Sequence, residues 1–430
     1  MDCQSLSFRE KMNRPKVAVI GTGIAGMAAA YFLRKDCDIS FYEKNTRPGG
    51  HTHTVTVDEE GRPVFVDTGF MVYNEITYPN LVRFFLELEI PVKNTSMSFS
   101  VQHLPSSLEY CGTGIRGLFS QWGNIFNFSY LKMLSQIHRF NRQCIEVLED
   151  PAYQDCTVSS YVREKKLGND ILEKYLLPMS AAIWSTPADR MMDFPVVTLV
   201  RFFKNHGLLG LATHFQWKTI EGGSRIYRDK VLSLFPESVR LNRQVLQVSR
   251  RGQGVLVRDS SGQESLFDKA VIASHADEAL AVLSEPTVLE REILSHFHYQ
   301  KNRVMLHTDV SVMPKTRCAW SSWNYRIGAG GAASVIYWMN SLQQVSKMKN
   351  YFVSVNDDGQ VDPALVLWRD EYEHPIYDLE AVRAQGRLTD LNRPGPIYFC
   401  GSYFKYGFHE DAFTAGMEAA RAILGRDVWQ

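Results

Sequence analysis

The chain has 430 residues, more than one hydrophobic core usually organises, so we expect two domains. Lys plus Arg and Asp plus Glu each total 47, and this zero formal charge argues against a nucleic-acid-binding protein. A hydrophobic fraction of 45% with 22% charged residues is typical of a globular protein and excludes general disorder.

The seven cysteines include no Cys-x-x-Cys pair, so they indicate neither a disulfide framework nor a zinc site. We therefore predict reduced thiols, a cytoplasmic protein and no metal centre. The uncharged residues 17–33 follow basic residues and imitate a secretory signal. They are too few for a confident membrane span and contain three glycines, so we interpret them as part of the fold.

The N-terminal elements alternate between strand and helix. Lys16–Ile20 is a run of apolar β-formers, residues 27–35 are alanine-rich and helical, and residues 38–43 form a second strand that ends in an acid. Residues 52–57 and 62–66 alternate apolar and polar side chains, which predicts a hairpin.

The remainder is predicted in three parts. Residues 78–214 are expected to be largely helical. Residues 223–273 are expected to contain one helix, near 227–235, followed by strands. Residues 287–390 are mixed, and the chain closes with a strand and a helix. The predicted strands lie near Val239, 245–248, 255–257, 269–273, 304–307, 334–338 and 397–400, and the last helix at 411–424.

A glycine motif joins the first strand to the first helix. Gly21, Gly23 and Gly26 have the spacing of a dinucleotide fingerprint, and the acid Glu43 follows about twenty residues later. The first glycine permits a tight turn, the second lets a pyrophosphate approach the backbone, and the third lets the helix pack on the strand. Glu43 would accept hydrogen bonds from ribose hydroxyls. The strand before and the helix after make a phosphate site at the helix N-terminus the favoured interpretation.

Two features favour FAD over NAD. Arg47-Pro-Gly49-Gly50 directly follows the second strand, where flavoproteins extend the nucleotide site toward the flavin. The C-terminal strand, turn and helix (residues 397–424) offer a second helix N-terminus for the flavin.

These motifs resemble the FAD-dependent amine oxidase superfamily, which includes monoamine oxidases, protoporphyrinogen oxidase and phytoene desaturases. Further matching pieces are Gly222-Gly223, Val245 and the terminal block from Phe399 to Ala420. Other motifs are similar to a bacterial branch described as predicted NAD/FAD-binding proteins, often encoded beside cyclopropane-fatty-acid synthases and in part implicated in fatty-acyl desaturation. They are Asn205-His-Gly-Leu-Leu209, Tyr337-Trp-Met-Asn340, Tyr372-Glu-His-Pro375 and Tyr406-Gly-Phe-His-Glu-Asp411.

The resemblance and the element order predict an α/β fold with two domains. A Rossmann-like FAD-binding domain, with a parallel sheet plus a β-meander, would comprise residues 1–77, 215–286 and 391–430. An inserted α+β substrate-binding domain, with a mixed or antiparallel sheet and helices, would comprise residues 78–214 and 287–390.

The resemblance also implies which residues contact FAD. They are Gly21, Gly23, Ile24, Ala25, Gly26, Glu43, Lys44, Arg47, Gly49, Gly50, His51, Val245, Gly401, Ser402, Asp411 and Ala412. The sequence departs from the superfamily at two positions. Ser402 stands where an acid often follows the terminal glycine, and Asn302 or Arg303 stands where amine oxidases hold a lysine near the flavin.

Four residues are candidates for catalysis. His51 and His53 follow the glycines and would share one face of an extended segment, so either could serve as a base or a hydrogen-bond donor. The alternative is a pair of histidines held by backbone in a polar pocket. His409 and Glu410, at the start of the last helix, are plausible flavin neighbours, whereas Asp411 is better explained as a helix cap.

Residues 114–140 are apolar and aromatic with few charges, and could dock on a membrane surface and admit an acyl chain, although such stripes more often belong to the core. Our first hypothesis is an FAD-dependent oxidoreductase acting on a lipid acyl chain. The alternatives are oxidation of a small amine, or a non-catalytic flavin-binding accessory of a lipid-modifying partner such as a cyclopropane synthase.

Overall fold

The computed structural model describes residues 14–429 apart from residues 211–214, Asp358 and Pro394. One half of the molecule is organised by a five-stranded sheet in which every neighbouring pair is parallel. The strands are apolar because both faces of such a sheet are covered. Their order across the sheet is Val239–Arg240, Asp38–Tyr42, Lys16–Ile20, Lys269–Ile272 and Ile397–Phe399.

The first and last helices cover one face of this sheet. Ile24–Leu33 and His409–Leu424 cross at Gly416, where an added Cβ would lie 2.1 Å from the Ala25 carbonyl oxygen. Only glycine permits that approach. The prediction of these two helices is confirmed, but each begins earlier than expected, at Ile24 and at His409. Residues 17–33 are thus a central strand and a buried helix, which rules out the signal-like interpretation.

An antiparallel meander covers the opposite face, formed by Val245–Arg251, Gly254–Asp259 and Glu264–Phe267. Its inward side chains join the strand residues Ile20 and Ile272 in one buried cluster. The predicted hairpin is also confirmed, with Thr54–Glu59 paired to Arg62–Asp67.

A seven-stranded mixed sheet forms the other half of the molecule. Its single parallel pairing joins Phe99–His103 to Trp323–Ile327, which lies far along the chain. The order is Val366–Ile376, His298–His307, Phe352–Val355, Ala333–Trp338, Trp323–Ile327, Phe99–His103 and Leu108–Cys111. The parallel sheet draws strands from all three segments predicted for the FAD domain, and this sheet from both predicted for the substrate domain. The domain boundaries themselves stay a prediction.

The prediction that residues 78–214 are largely helical was incomplete, because this region contributes strands to two sheets. Besides Phe99–His103 and Leu108–Cys111, the strand Val92–Thr95 pairs with Trp217–Ile220, which also pairs with Tyr73–Asn74. The partners lie at distant positions, and a local hydrophobic pattern does not report them.

Short helices fill the connections. The α-helices not yet named are Pro79–Glu87, Gly114–Leu118, Phe128–Gln143, Val158–Glu164, Asn169–Ile171, Leu177–Trp184, Ala188–Met191, Val196–Asn205, Arg225–Leu232, Ala276–Val282, Val288–Leu294, Met339–Leu342 and Leu379–Gln385. Among the described residues, no helix combines the length and apolar character needed to cross a bilayer.

Candidate functional site

A cavity of about 1650 Å³ opens at the carboxyl ends of the parallel strands, bordered by Ile20, Tyr42 and Ala273. Open α/β sheets bind their ligands at this edge. The volume exceeds the roughly 300–1000 Å³ usual for drug-sized ligands. It therefore has room for a dinucleotide and a second molecule.

The glycine turn forms one wall of the cavity, and its three glycines differ in what surrounds them. Gly21 has φ +103°, and an added Cβ would lie 2.5 Å from the Ala273 carbonyl oxygen. At Gly26 the Cβ would lie 2.1 Å from the Gly21 carbonyl oxygen, so this glycine serves helix packing behind the wall. At Gly23 the Cβ would meet nothing within 4 Å. The open space before Gly23, with Ile24 and Ala25 on the wall, fits a pyrophosphate at the helix N-terminus.

Glu43 lies on the wall as predicted, and it also holds the glycine turn. Its Oε2 accepts hydrogen bonds from the backbone N–H and the hydroxyl of Thr22, at 3.2 and 2.5 Å, and Oε1 accepts from the Asn45 N–H. The Thr22 hydroxyl oxygen in turn accepts from the Gly49 N–H at 3.0 Å. Thr22 was missed by the sequence analysis, although its place inside the glycine motif could have indicated it.

The loop after the second strand closes over the glycine turn. Arg47 donates from Nη1 to the Gly50 carbonyl oxygen at 2.8 Å, and a Cβ on Gly50 would lie 3.4 Å from the Gly23 Cα. Gly50 and Arg47 line the cavity, as does Lys44, which pairs with Glu278. Gly49 does not face it: an added Cβ there would lie 2.7 Å from the Arg228 Cδ, so this glycine is needed for packing.

Two more segments complete the crevice where the resemblance implied. Val245 lies on the wall together with Arg243 and Gln244, which the sequence analysis did not single out. From the C-terminal segment, Gly401, Ser402 and Ala412 line the cavity. The crevice is thus assembled from the start, the middle and the end of the chain.

Asp411, predicted both as a cap and as a cofactor contact, is a cap. It is the third residue of the last helix, and its Oδ2 accepts from the N–H groups of Tyr406 and Phe408 at 3.1 and 3.0 Å. Burial raises the pKa of Asp411 to about 7. The carboxylate therefore shapes the turn that carries His409, and it lies behind the wall.

Glu410, predicted as a catalytic candidate, also has a structural position. Its two oxygens accept from the backbone N–H groups of Asn80 and Leu81 at 3.0 and 2.9 Å. These are the first donors of the helix Pro79–Glu87, whose N-cap residue Tyr78 makes no side-chain cap. Glu410 therefore caps a neighbouring helix, and the catalytic interpretation of this residue is withdrawn.

His51 and His53 do not share a face, because residues 49–53 turn instead of extending. The Thr52 N–H donates to the Gly49 carbonyl and the His53 N–H to the His51 carbonyl. His53 lies behind the wall, with Nδ1 2.7 Å from the Tyr372 hydroxyl. His51 lines the cavity, and its buried Nε2 has no hydrogen-bond partner within the described chain.

A third histidine, His374, was not predicted and lies 5.1 Å from His51 between ring centroids. Its tautomer follows from a chain of amides. The Arg303 N–H donates to Asn356 Oδ1 at 3.0 Å, so the amide nitrogen of Asn356 donates to Asn302 Oδ1 at 2.6 Å. The amide nitrogen of Asn302 then donates to His374 Nδ1 at 2.7 Å, and the ring proton is on Nε2.

Three of the histidines on the wall, His51, His374 and His409, are neutral at physiological pH. Burial lowers the pKa of His374 to about 4 and that of His409 to about 3. Burial and the neighbouring His374 hold the pKa of His51 well below its usual value. His409 stacks on Phe70 with ring centroids 3.8 Å apart, and its Nε2 lies 3.0 Å from the Tyr227 hydroxyl. His51, His374 and His409 therefore present polar but uncharged imidazoles to the cavity.

Beyond the histidines the cavity continues into the other half of the molecule, where its wall is largely apolar. Its apolar lining residues are Phe99, Leu118, Leu134, Ile137, Met179, Ile183, Trp184, Phe202, Leu208, Leu209, Phe215, Trp217, Trp323, Tyr337 and Tyr406, and its polar ones include His138, Asn141, Arg142, His206 and Gln216. Within the described part of the chain, the carboxylates on the wall lie elsewhere, at the nucleotide end: Glu43, Glu278, Asp370, Glu371 and Glu373.

One group of side chains there has the donor types of a metal site. His275, Glu278 and Glu373 bring three possible ligand atoms within 4.8 Å of one another. Glu278 is paired with Lys44, and the His275 ring stacks on Tyr299 at 4.2 Å. These contacts account for the group, and no metal is inferred from it.

The sequence matches two curated relatives over part of their length. It is 26% identical to coproporphyrinogen III oxidase of Staphylococcus aureus over 194 residues, 42% of this chain and 39% of that protein. It is 26% identical to polyamine oxidase 3 of Oryza sativa subsp. japonica over 277 residues, 62% of this chain and 53% of that protein. The chain thus spans about half or less of the relatives it matches.

Solved structures share the fold over nearly the whole chain. Cyclohexylamine oxidase from Brevibacterium oxydans has a TM-score of 0.69 at 15% identity, covering 96% of this chain and 99% of that one. A CLA-producing fatty acid isomerase from P. acnes has a TM-score of 0.64 at 12% identity, covering 96% and 98%. Both confirm the predicted fold class.

The residues of the crevice fit FAD. The space before Gly23 suits the pyrophosphate, and Glu43 on the same wall is placed to accept hydrogen bonds from a ribose. Residues 24–322, more than half of the chain, match the family described as flavin containing amine oxidoreductase. The cofactor is FAD, and the chain belongs to the flavin containing amine oxidoreductase family.

Proposed function

We propose that this protein is an FAD-dependent oxidoreductase that takes a hydride from a lipid acyl chain, retaining the two electrons on the flavin in a desaturation or returning the hydride to the same chain in an isomerisation. The observation that most supports this proposal is the composition of the cavity wall beyond the histidines, in the half of the molecule that contains the seven-stranded sheet. Among the described residues from Phe70 to Trp217, the wall includes no Asp or Glu. An acyl chain needs only apolar walls, whereas an ammonium group is best held by a carboxylate and an aromatic cage.

The residues of the cavity wall position the acyl chain and exclude water from it. Bound FAD supplies the hydride acceptor. Trp184, Phe202 and Phe408 lie on the wall and pack in one aromatic group, so they hold an apolar chain in a dry site. His374 offers an Nε2–H donor. Desaturation also releases a proton from the neighbouring carbon, and the unpartnered Nε2 of His51 is the acceptor we assign to it.

The relatives bear on two substrate classes. Polyamine oxidase and cyclohexylamine oxidase are named for amines, and the isomerase from P. acnes for a fatty acid, so the shared fold accommodates both. The finer resemblance, to the bacterial branch found beside cyclopropane-fatty-acid synthases, is part of this proposal and rests on the sequence motifs. A cyclopropane-synthase-like partner is proposed on the same basis.

Anaerobic reduction of the holoprotein separates the two classes. We expect detergent-dispersed phospholipids with long acyl chains to bleach the visible flavin absorbance, and cyclohexylamine and putrescine to leave it unchanged. Bleaching by the amines alone would refute the proposal. No bleaching by either class, with a lipid-modifying enzyme retained during purification, would favour the accessory role.

A matched pair of variants tests whether the acyl chain of the substrate occupies the apolar part of the cavity. Leu134 lines the cavity, and Ser135, its neighbour on the same helix, is exposed. Leu134→Trp narrows the cavity and should raise the lipid concentration for half-maximal bleaching roughly ten-fold. Ser135→Trp adds the same bulk outside and should not. Equal effects would show that the acyl chain does not occupy this part of the cavity.

A further inference from the structure

Six exposed apolar side chains form a patch on one segment of the surface. We call it the apolar patch: Ile115, Trp122, Ile125, Phe126, Phe128 and Leu131. Phe126 and Phe128 are 90% and 80% exposed, and Ile115 and Trp122 are 77% and 72% exposed. Large apolar side chains clustered in this way on a protein surface mark a contact with a partner or a membrane.

The patch stands on a fixed support. On the inner side of the same segment, Tyr130 and Met133 are buried against Val101 and Tyr110. The Tyr130 hydroxyl donates to the Leu118 carbonyl oxygen at 2.6 Å and ties the two helices of the segment together. The exposed side chains are therefore held outward by a packed scaffold.

The charge of the segment selects the partner. Residues 110–145 include Arg116, Lys132, Arg139 and Arg142 and no Asp or Glu. Asp170, the carboxylate that contacts this segment through Ser129, is already paired with Lys174. Arg116 lies with Ile115, Trp122 and Ile125 around one surface pocket, and Lys132 follows Leu131 in the chain. Apolar side chains beside such cations match the surface of an anionic bilayer, where rings enter the interface and cations meet lipid phosphates.

A second copy of the chain fits this surface less well. A two-fold contact through the patch would bring two copies of Arg116 and Lys132 together without carboxylates from the segment to neutralise them. An anionic lipid surface complements the same cations.

The patch also adjoins the cavity. Gly114 and Leu118, from the helix that carries Ile115, line the cavity, and so do Leu134 and Ile137, from the helix that begins at Phe128. These two α-helices, which carry Ile115, Phe128 and Leu131 of the patch, thus also form part of the cavity wall. An acyl chain entering from a bilayer at the patch would have to pass only these helices to reach the cavity.

We infer that the apolar patch inserts into the surface of a bilayer containing anionic phospholipid and admits acyl chains from it to the cavity. The route to the cavity rests on the proposed function, whereas insertion into the bilayer can be measured without turnover.

The test is flotation of the holoprotein with vesicles of phosphatidylcholine alone or mixed with phosphatidylglycerol. The holoprotein should float with the mixed vesicles, and high salt should weaken its binding. Phe126→Ser with Phe128→Ser should weaken binding at least ten-fold and leave flavin content unchanged. Ile76→Ser with Leu86→Ser is the control, since these side chains are 63% and 73% exposed elsewhere and should not matter.

Failure to bind the mixed vesicles, or equal losses in the test and control pairs, would overturn the inference. So would a dimer in analytical ultracentrifugation that Phe126→Ser with Phe128→Ser dissociates, because a second copy would then cover the patch. Vesicle binding without bleaching by phospholipid would leave the patch in place and refute the proposed substrate instead.

Discussion

At Gly23 the backbone leaves open space on the side of the cavity where a phosphate would lie. The residue has φ −62°, which any amino acid adopts, and an added Cβ would meet nothing within 4 Å. A side chain there is therefore tolerated by the fold. Gly23→Asp places a carboxylate at the phosphate position and should abolish retention of FAD, with little change in the thermal unfolding of the apoprotein.

The matched control is Gly23→Ala, which fills the same space without charge and should keep part of the flavin. The measurement is the ratio of visible flavin absorbance to protein absorbance after gel filtration. A yellow Gly23→Asp protein with full flavin content would contradict the position assigned to the pyrophosphate.

The amide chain that ends at His374 makes a second prediction. Asn302 donates to Nδ1 of a histidine whose pKa is lowered to about 4 by burial, so the ring is neutral above that pH. In Asn302→Asp the new carboxylate accepts from Nδ1–H. It moves the neutral ring's proton from Nε2 to Nδ1 and stabilises the protonated ring. The pKa of His374 should then rise toward or above its ordinary value of 6.5.

Histidine-selective isotope labelling and NMR titration would follow this shift directly. Asn302→Ala serves as the control, because it removes the donor without adding a charge and should leave the pKa low. A step that uses neutral His374 slows when the pH falls below the pKa of this residue. In Asn302→Asp this decrease in rate should therefore begin at a higher pH than in the unmodified protein. An unchanged titration would mean that Asn302 does not set the tautomer.

At the scale of elements, the start of the last helix ties three parts of the fold together. Glu410 caps the helix Pro79–Glu87, and Asp411 orders the turn before His409. Glu410→Gln keeps one acceptor for two backbone donors and should lower the free energy of unfolding by about 1 kcal/mol. Flavin content and the rate of flavin reduction should stay the same. A large loss of rate with normal stability would restore the catalytic interpretation of Glu410.

The sequence was sufficient for elements whose signals are local. The strand Lys16–Ile20, the hairpin around Gly61 and the last helix were predicted because each carries its own periodicity or turn residues. Phe99–His103 and Leu108–Cys111 were missed because they are held by pairing with residues 323–327 and with each other. Such strands depend on tertiary contacts that no local window contains.

The residues of the candidate site also fall into those with a local sequence signal and those brought together only by the tertiary structure. The two motifs at residues 21–26 and 43–50 are close in sequence, and Gly21, Gly23, Glu43, Arg47 and Gly50 line the crevice as predicted, whereas Gly26 and Gly49 serve packing. His374 was missed because its neighbours Asn302, Asn356 and His51 come from separate segments. The pairing of His51 with His53 failed because a turn at residues 49–53 replaced the expected extended backbone. Periodicity predicts a face only where the backbone is regular.

At the scale of the whole molecule, one ligand would join parts of the chain that are distant in sequence. The wall is formed by residues 20–25, by residues 243–245 and by Gly401 with the turn that follows it. A dinucleotide spanning them binds the folded chain and not the unfolded one, so it stabilises the fold by linkage. FAD at about 100 times its Kd should raise the free energy of unfolding by about 2.7 kcal/mol.

Riboflavin is the control ligand, because it carries the flavin without the pyrophosphate and adenine and would reach only part of the wall. Denaturant unfolding of the apoprotein should therefore show a midpoint that rises with the logarithm of the FAD concentration and barely responds to equal riboflavin. Equal stabilisation by the two ligands would mean that the glycine turn and residues 243–245 do not hold the nucleotide. The cofactor would then contact only the C-terminal part of the crevice, and the chain's two ends would be joined only by the parallel sheet and by the packing of the first helix on the last.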